Sequence, residues 1–176
     1  MPEEAEVRAV IGDSYDPEAT LHVVQMFAGT EEFFPALIGM VKAVFGTRDI
    51  DARHREVIIL RAAAVLNVPY EWQANEQMAR NAGLTDEQID AVAADGPVTG
   101  IDPEFALLAA ATDEMLTTGT LTDPTLRAML DAFGTVVTRK YITTIAWFSM
   151  LSLFLNATRV PLETTDKIGD RVSPLG

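Results

Sequence analysis

The chain contains no cysteine. That absence excludes disulfides, thiolate nucleophiles, thiol-based peroxide reduction and thiolate metal sites. Histidine is nearly as scarce: His22 and His54 are the only two. They are isolated and far apart, which is no metal-ligand signature, so neither a metal nor a cofactor is expected. Cations are few, with 13 Lys and Arg against 26 Asp and Glu, a formal charge of −13 and a pI near 4.4. An acidic chain argues against nucleic acid or an anionic membrane as partner, which leaves a small molecule. The start, Met1-Pro2-Glu3-Glu4-Ala5-Glu6, has no apolar run behind it and is not a signal peptide. The longest apolar stretch, Ile142 to Leu155, is interrupted by Thr143, Thr144, Ser149 and Ser152. It falls short of the roughly 20 residues that cross a bilayer. A cytoplasmic protein is expected.

What is present is apolar residue at helical spacing. Hydrophobic residues make up 48% of the chain, enough for one domain with a real core. No alternating strand pattern and no Asn-Gly hairpin signal occurs. The expected fold is therefore all-α: a single domain over 1–176, a helical bundle of about seven or eight helices, with its core at 30–163 and a polar, extended tail at 164–176. Asp16-Pro17 opens a first helix over 17–28. A second spans 31–45, with Thr30 as N-cap. Asp51 caps a third that runs to about Leu66 and is apolar nearly all round after Glu56, which marks it as central. Pro69 starts a fourth that stops at Gly83. Thr85-Asp86-Glu87-Gln88 is a capping box for a short fifth. Asp102-Pro103 and Asp123-Pro124 open a sixth and a seventh, the latter ending at Phe133. The last helix covers 135–157.

Few residues in this pattern carry chemistry. Glu56 interrupts an apolar face, and an unpaired buried charge is costly. Read from the residues alone, it is the partner of Arg53, Arg55 or Arg61. Glu71 and Asn75 are one helical turn apart and share a face. Glu71 alone reads as a first-turn acid that stabilises the helix dipole. Tyr70, Trp72 and Trp147 read as core aromatics or as a pocket wall. His54 lies on a different face from Glu56 and reads as exposed and structural; His22 reads as a surface residue. Arg139 and Lys140, adjacent on an acidic protein, read as solvated.

The run Arg55-Glu56-Val57-Ile58-Ile59-Leu60-Arg61, followed by Asn67-Val68-Pro69-Tyr70-Glu71-Trp72-Gln73-Ala74-Asn75, resembles the core motif of the carboxymuconolactone decarboxylase family. Its redox branch is the alkylhydroperoxidase D type. The likeness runs from about Phe33 to Glu163. In the redox branch a Cys-x-x-Cys pair and a following His act on peroxide. Those positions fall here on Val68, Glu71 and Asn75, so thiol chemistry is absent and the usual histidine is replaced. The Tyr-Glu-Trp triplet is similar to the decarboxylase-like branch. The resemblance implies a homo-oligomer, a trimer or hexamer, and a pocket lined by Glu56. It thereby places Glu56 and Glu71 as catalytic acid and base converging on one cavity, with Asn75, Tyr70, Trp72 and Trp147 as substrate-binding residues. Two carboxyls in one cavity would drive each other's pKa values apart. The function this implies is cofactor-independent acid–base chemistry of the decarboxylase, dehydratase, isomerase or cyclase type. Its substrate would be a small cyclic acid, a lactone or a polyketide-like aromatic. The alternative is a binding or structural protein that kept the scaffold and lost its chemistry. One scaffold hosts several chemistries, so fold alone does not choose between them.

Overall fold

The computed structural model describes residues 1–175. Among them there is no strand. The helices are α1 (Glu4–Ile11), α2 (His22–Ala28), α3 (Phe34–Gly46), α4 (Ala52–Val65), α5 (Pro69–Ala82), α6 (Asp86–Ala93), α7 (Pro103–Thr118) and α8 (Asp123–Thr158). The all-α expectation holds.

Capping fixes most boundaries. The Asp51 side chain accepts from the Arg53 amide at 2.8 Å and Asp102 from the Glu104 amide at 2.9 Å. Thr85 and Gln88 exchange side-chain and backbone bonds in a full capping box. Gly83 and Gly119 end α5 and α7 in the left-handed conformation, at φ 101° and 76°. The expected break between a seventh and a last helix is a kink at Gly134 inside α8, at φ 73° and ψ 168°, where a side chain would be strained. Thr138 donates to the Met129 carbonyl at 2.9 Å and ties the two arms of α8 across that kink.

Helix α4 is the axis of the bundle. Every residue from His54 to Ala63 is buried, as an apolar surface nearly all round requires. It packs on α5, α6, α7 and α8. Two apolar cores flank it. The first joins α2, α3, α5 and the second arm of α8. The second joins α6, α7 and the region around the α8 kink. By length and composition α8 would suffice to cross a bilayer, unlike the shorter apolar run counted in the sequence. In this fold it is a core helix, with Trp147, Phe148, Leu151 and Leu155 buried.

Four expectations are corrected. Helix α1 was not foreseen: its Glu3–Glu6 capping box closes a short helix whose Val7 is fully buried beside Tyr15 and Ala28. The first expected helix begins at His22, because the Asp16 side chain holds a turn by accepting from the Glu18 amide at 2.9 Å. Thr30 does not cap; its hydroxyl donates to the Phe27 carbonyl at 2.6 Å. The segment after residue 163 is irregular but not free. Ile168 sits in the first core, and Asn81 donates to the Gly169 and Arg171 carbonyls at 2.9 and 2.8 Å.

Candidate functional site

A cavity of about 40 Å³ lies inside the first core. That is room on the order of one to three waters. Its walls are apolar side chains of α2, α3, α5 and α8, among them Phe27, Phe45, Met78 and Phe148, and Pro174 and Leu175 also border it. Four of the residues named from the sequence line it: Tyr70, Glu71, Asn75 and Trp147. Glu56 and Trp72 do not. Trp72 is half-buried and bridges the two cores.

Glu71 enters the cavity because Pro69 starts α5 and the apolar side of that helix, with Ala74 and Met78, turns inward. Its carboxyl is almost wholly buried. The Ser152 hydroxyl, from α8, donates to Oε2, while Oε1 has no hydrogen-bond partner among the described residues. Burial pushes this carboxyl up to about 8, against the smaller lowering effect of Ser152. At neutral pH Glu71 is thus largely a neutral acid. Asn75 spends its amide on the Glu71 backbone carbonyl at 2.8 Å. An asparagine transfers no proton near neutral pH. The indole nitrogen of Trp147, also buried, has no partner either.

Glu56 is fully buried elsewhere. It accepts from the Arg55 Nε at 3.0 Å, and burial pushes its carboxyl up to about 7 against the attraction of Arg55. Of the three arginines open as its partner, Arg55 is the one. Arg53 pairs with Asp51 and Arg61 with Asp113. Arg55 stacks over the Phe45 ring at 4.3 Å and donates to the Val172 carbonyl at 3.0 Å. Glu56 does not line the cavity, so the cavity does not hold both carboxyls. Neither carboxyl's shift owes anything to the other; burial causes both.

Two further features were missed in the sequence. Ser152 was read only as an interruption of an apolar run, yet it holds the Glu71 carboxyl. Glu163 is a buried acceptor that clasps the C-terminal segment to the cavity wall. It accepts from the Tyr70 hydroxyl at 2.7 Å and the His22 amide at 2.6 Å, and pairs with Lys167 at 3.2 Å. The lever is long-range and writes no local motif. His54 is corrected as well: it is buried, its Nδ1 is 2.6 Å from the Tyr141 hydroxyl, and its ring meets those of Phe105 and Phe133. The aromatic groups that cover it come from α7 and α8, out of reach of any local pattern. His22, read as a surface residue, is only partly exposed: its side chain is 20% exposed and its Nδ1 lies 2.9 Å from the Pro161 carbonyl. Among the described residues no group of three His, Asp or Glu side chains is placed to hold a metal ion.

No curated protein matches the chain. The model of the carboxymuconolactone decarboxylase family matches residues 31–114, the stretch from the turn before α3 into α7 that carries Glu56, Glu71 and Asn75. Trp147, Ser152 and Glu163 lie beyond it. With an all-helical bundle built on that segment, the chain is carboxymuconolactone decarboxylase-like across residues 31–114.

Proposed function

We propose that the protein is a cofactor-independent acid–base enzyme of the decarboxylase, dehydratase, isomerase or cyclase type, with Glu71 as its proton donor and acceptor. The observation that carries this reading is the state of Glu71. It is a buried carboxyl, protonated near neutral pH, fixed through one oxygen and unpartnered at the other, in the wall of an apolar cavity. A proton donor with a pKa near the working pH is what general acid catalysis needs. The conjugate base left behind could then abstract a proton beside the same carbonyl, which is the common step of these reactions. Glu56, buried and paired with Arg55 behind Phe45, takes a supporting role in this reading and not a catalytic one. The substrate is a small cyclic acid, lactone or polyketide-like aromatic.

A substrate-independent assay tests the chemistry. Small cyclic ketones, lactones and keto acids in D2O should show enzyme-dependent deuterium wash-in at the carbon beside the carbonyl. Glu71→Gln should reduce it by on the order of 100-fold or more. Exchange at the wild-type rate in Glu71→Gln, or none with the wild-type protein, overturns the proposal. A second reading, a binding protein on the same scaffold, is favoured by Asn75, whose amide is committed to the backbone. It requires saturable binding with no exchange. A homo-oligomer is also proposed. Phe33, Val136 and Leu153 are apolar side chains 65%, 62% and 63% exposed, which contact between copies would remove from water. A trimer or hexamer would cover them.

A further inference from the structure

Closed, the cavity at Glu71 is too small for a substrate. It holds about 40 Å³, room for waters only, whereas small-molecule sites run from roughly 300 to 1,000 Å³. Space of that order lies next to it. A groove of about 480 Å³, walled by residues of α2, α3 and the segment around Arg171, shares four residues with the cavity: Leu21, Val24, Pro174 and Leu175. Two of these are fixed. Leu21 and Val24 are buried at the start of α2, where Glu163 accepts from the His22 amide at 2.6 Å and the Tyr70 hydroxyl accepts from the Val23 amide at 3.0 Å. Pro174 and Leu175 are held differently. The segment that carries them is tied down as far as Val172: Asn81 donates to the Gly169 and Arg171 carbonyls, and Arg55 donates to the Val172 carbonyl at 3.0 Å. Beyond Val172 the fastening stops. Among the described residues, Ser173, Pro174 and Leu175 make no hydrogen bond to another part of the chain; the Leu175 amide donates only to the Ser173 hydroxyl beside it. Leu175 borders the cavity on one side and is still 37% exposed.

We propose that residues 173–175 are a strap across the entrance to the Glu71 cavity, hinged after Val172, and that a ligand enters from the groove by displacing Pro174 and Leu175. The proposal rests on reading this cavity as the reactive site, and it accounts for how a molecule larger than the closed cavity reaches Glu71. The strap is held by apolar contact alone, with no hydrogen bond to break when it lifts. Local openings of weakly held segments are far more frequent than global unfolding. Lifting the strap joins the cavity to the groove, and one ligand then lies in both, its reacting end at Glu71 and its remainder in the groove. The hinge is set by Arg55, whose guanidinium also stacks on Phe45, another wall of the cavity. The root of the strap and that wall are thus fixed by one side chain.

A chain without cysteine allows a test with one introduced thiol. Val41→Cys places it on the cavity wall, and Val57→Cys places it in the second core, where the side chain is fully buried. Each variant of the whole chain is exposed to methyl methanethiosulfonate, and the rate of thiol modification is followed by mass. The Val41→Cys thiol should react at least roughly tenfold faster than the Val57→Cys thiol, because it is reached by local opening. Adding Leu175→Ala should speed the Val41→Cys reaction by a further roughly 3- to 10-fold, since part of the apolar hold on the strap is gone, and should leave Val57→Cys unchanged. Equal rates for the two thiols overturn the proposal. So does a Val41→Cys rate indifferent to Leu175→Ala, which would place the entrance elsewhere, or a rise in both thiols alike. If Val41→Cys fails to fold, Met78→Cys supplies the thiol from another wall of the same cavity. Thiol access that depends on Leu175, without deuterium wash-in, would remove the catalytic reading and leave the entrance standing. Wash-in that depends on Glu71, with the two thiols equally slow, would do the reverse.

Discussion

The two cores beside α4 both bury charge, and they treat it in opposite ways. In the second core Arg61 is buried and fully engaged: its guanidinium donates twice to Asp113, at 2.6 and 2.8 Å, and to the Val92, Ala94 and Gly96 carbonyls at the end of α6. It binds the end of one helix to the face of another, and every polar direction is used. In the first core Glu71 is just as buried, but one of its oxygens and the Trp147 nitrogen have no hydrogen-bond partner, as is also true of one oxygen each of Glu56 and Glu163. Buried polar groups in folded proteins are satisfied as a rule, so the exceptions mark where something other than stability was selected. Side by side, the second core reads as scaffold and the first as site.

The largest expected effect breaks the scaffold side. Arg61→Ala leaves Asp113 and three helix-end carbonyls without their donor and should cost about 3–5 kcal/mol of unfolding free energy by denaturant titration. A loss under 1 kcal/mol would mean that the full engagement of Arg61 is not what distinguishes the two cores.

The next effect sharpens the site side. The folded Glu71 pKa, about 8, lies above its ordinary value of 4.5, so the folded state holds a proton that the unfolded state has released. Its stabilising share is complete below pH 4.5 and is lost as pH rises through 8. The unfolding free energy should therefore fall by a few kcal/mol between about pH 5 and 9, and Glu71→Gln should flatten that slope. A slope unchanged in the variant removes Glu71 as the titrating group.

The smallest concerns His54, a satisfied histidine on the scaffold side. Burial holds its pKa below the usual 6.5, so stability present above 6.5 declines as pH falls towards the lower folded value. Tyr141→Phe deletes the hydroxyl partner of Nδ1 and should cost on the order of 1 kcal/mol in thermal or chemical unfolding, with the cavity's ligand binding unchanged. A change in Glu71-dependent deuterium wash-in in this variant would show that the two halves are coupled through α8.

What the sequence made legible was local. Asp51, Thr85 and Asp102 announce their helices by capping chemistry that acts within one turn, and Gly134 announces its kink because only glycine adopts that backbone conformation without strain. The unbroken apolar surface after Glu56 placed α4 at the centre. Glu71, Asn75, Tyr70 and Trp147 were found by spacing and by resemblance, and they share a cavity. What was hidden depended on partners distant in the chain. The exposure expected of His54 fails because Phe105, Phe133 and Tyr141 close over it from two other helices. The convergence of Glu56 with Glu71 was not legible either way: Glu56 is paired with the adjacent Arg55 and does not line the cavity that Glu71 enters. Helix α1 hid behind an acidic composition, although Glu3 and Glu6 already spelled its cap.

The clasp at Glu163 has a consequence for how the protein is made. A chain emerging from the ribosome can pair α4 with α5, α6 and α7 as soon as residue 118 is free, since all of that packing lies upstream. The first core has no such independence. Its wall at Tyr70 and α2 is fastened by a residue 93 positions after Tyr70 and 141 after His22, and residues 174 and 175 border the cavity. Closing loops of that length is slow and comes late. Part of the scaffold can thus form before the cavity wall closes, which waits for Glu163 and for residues 174 and 175.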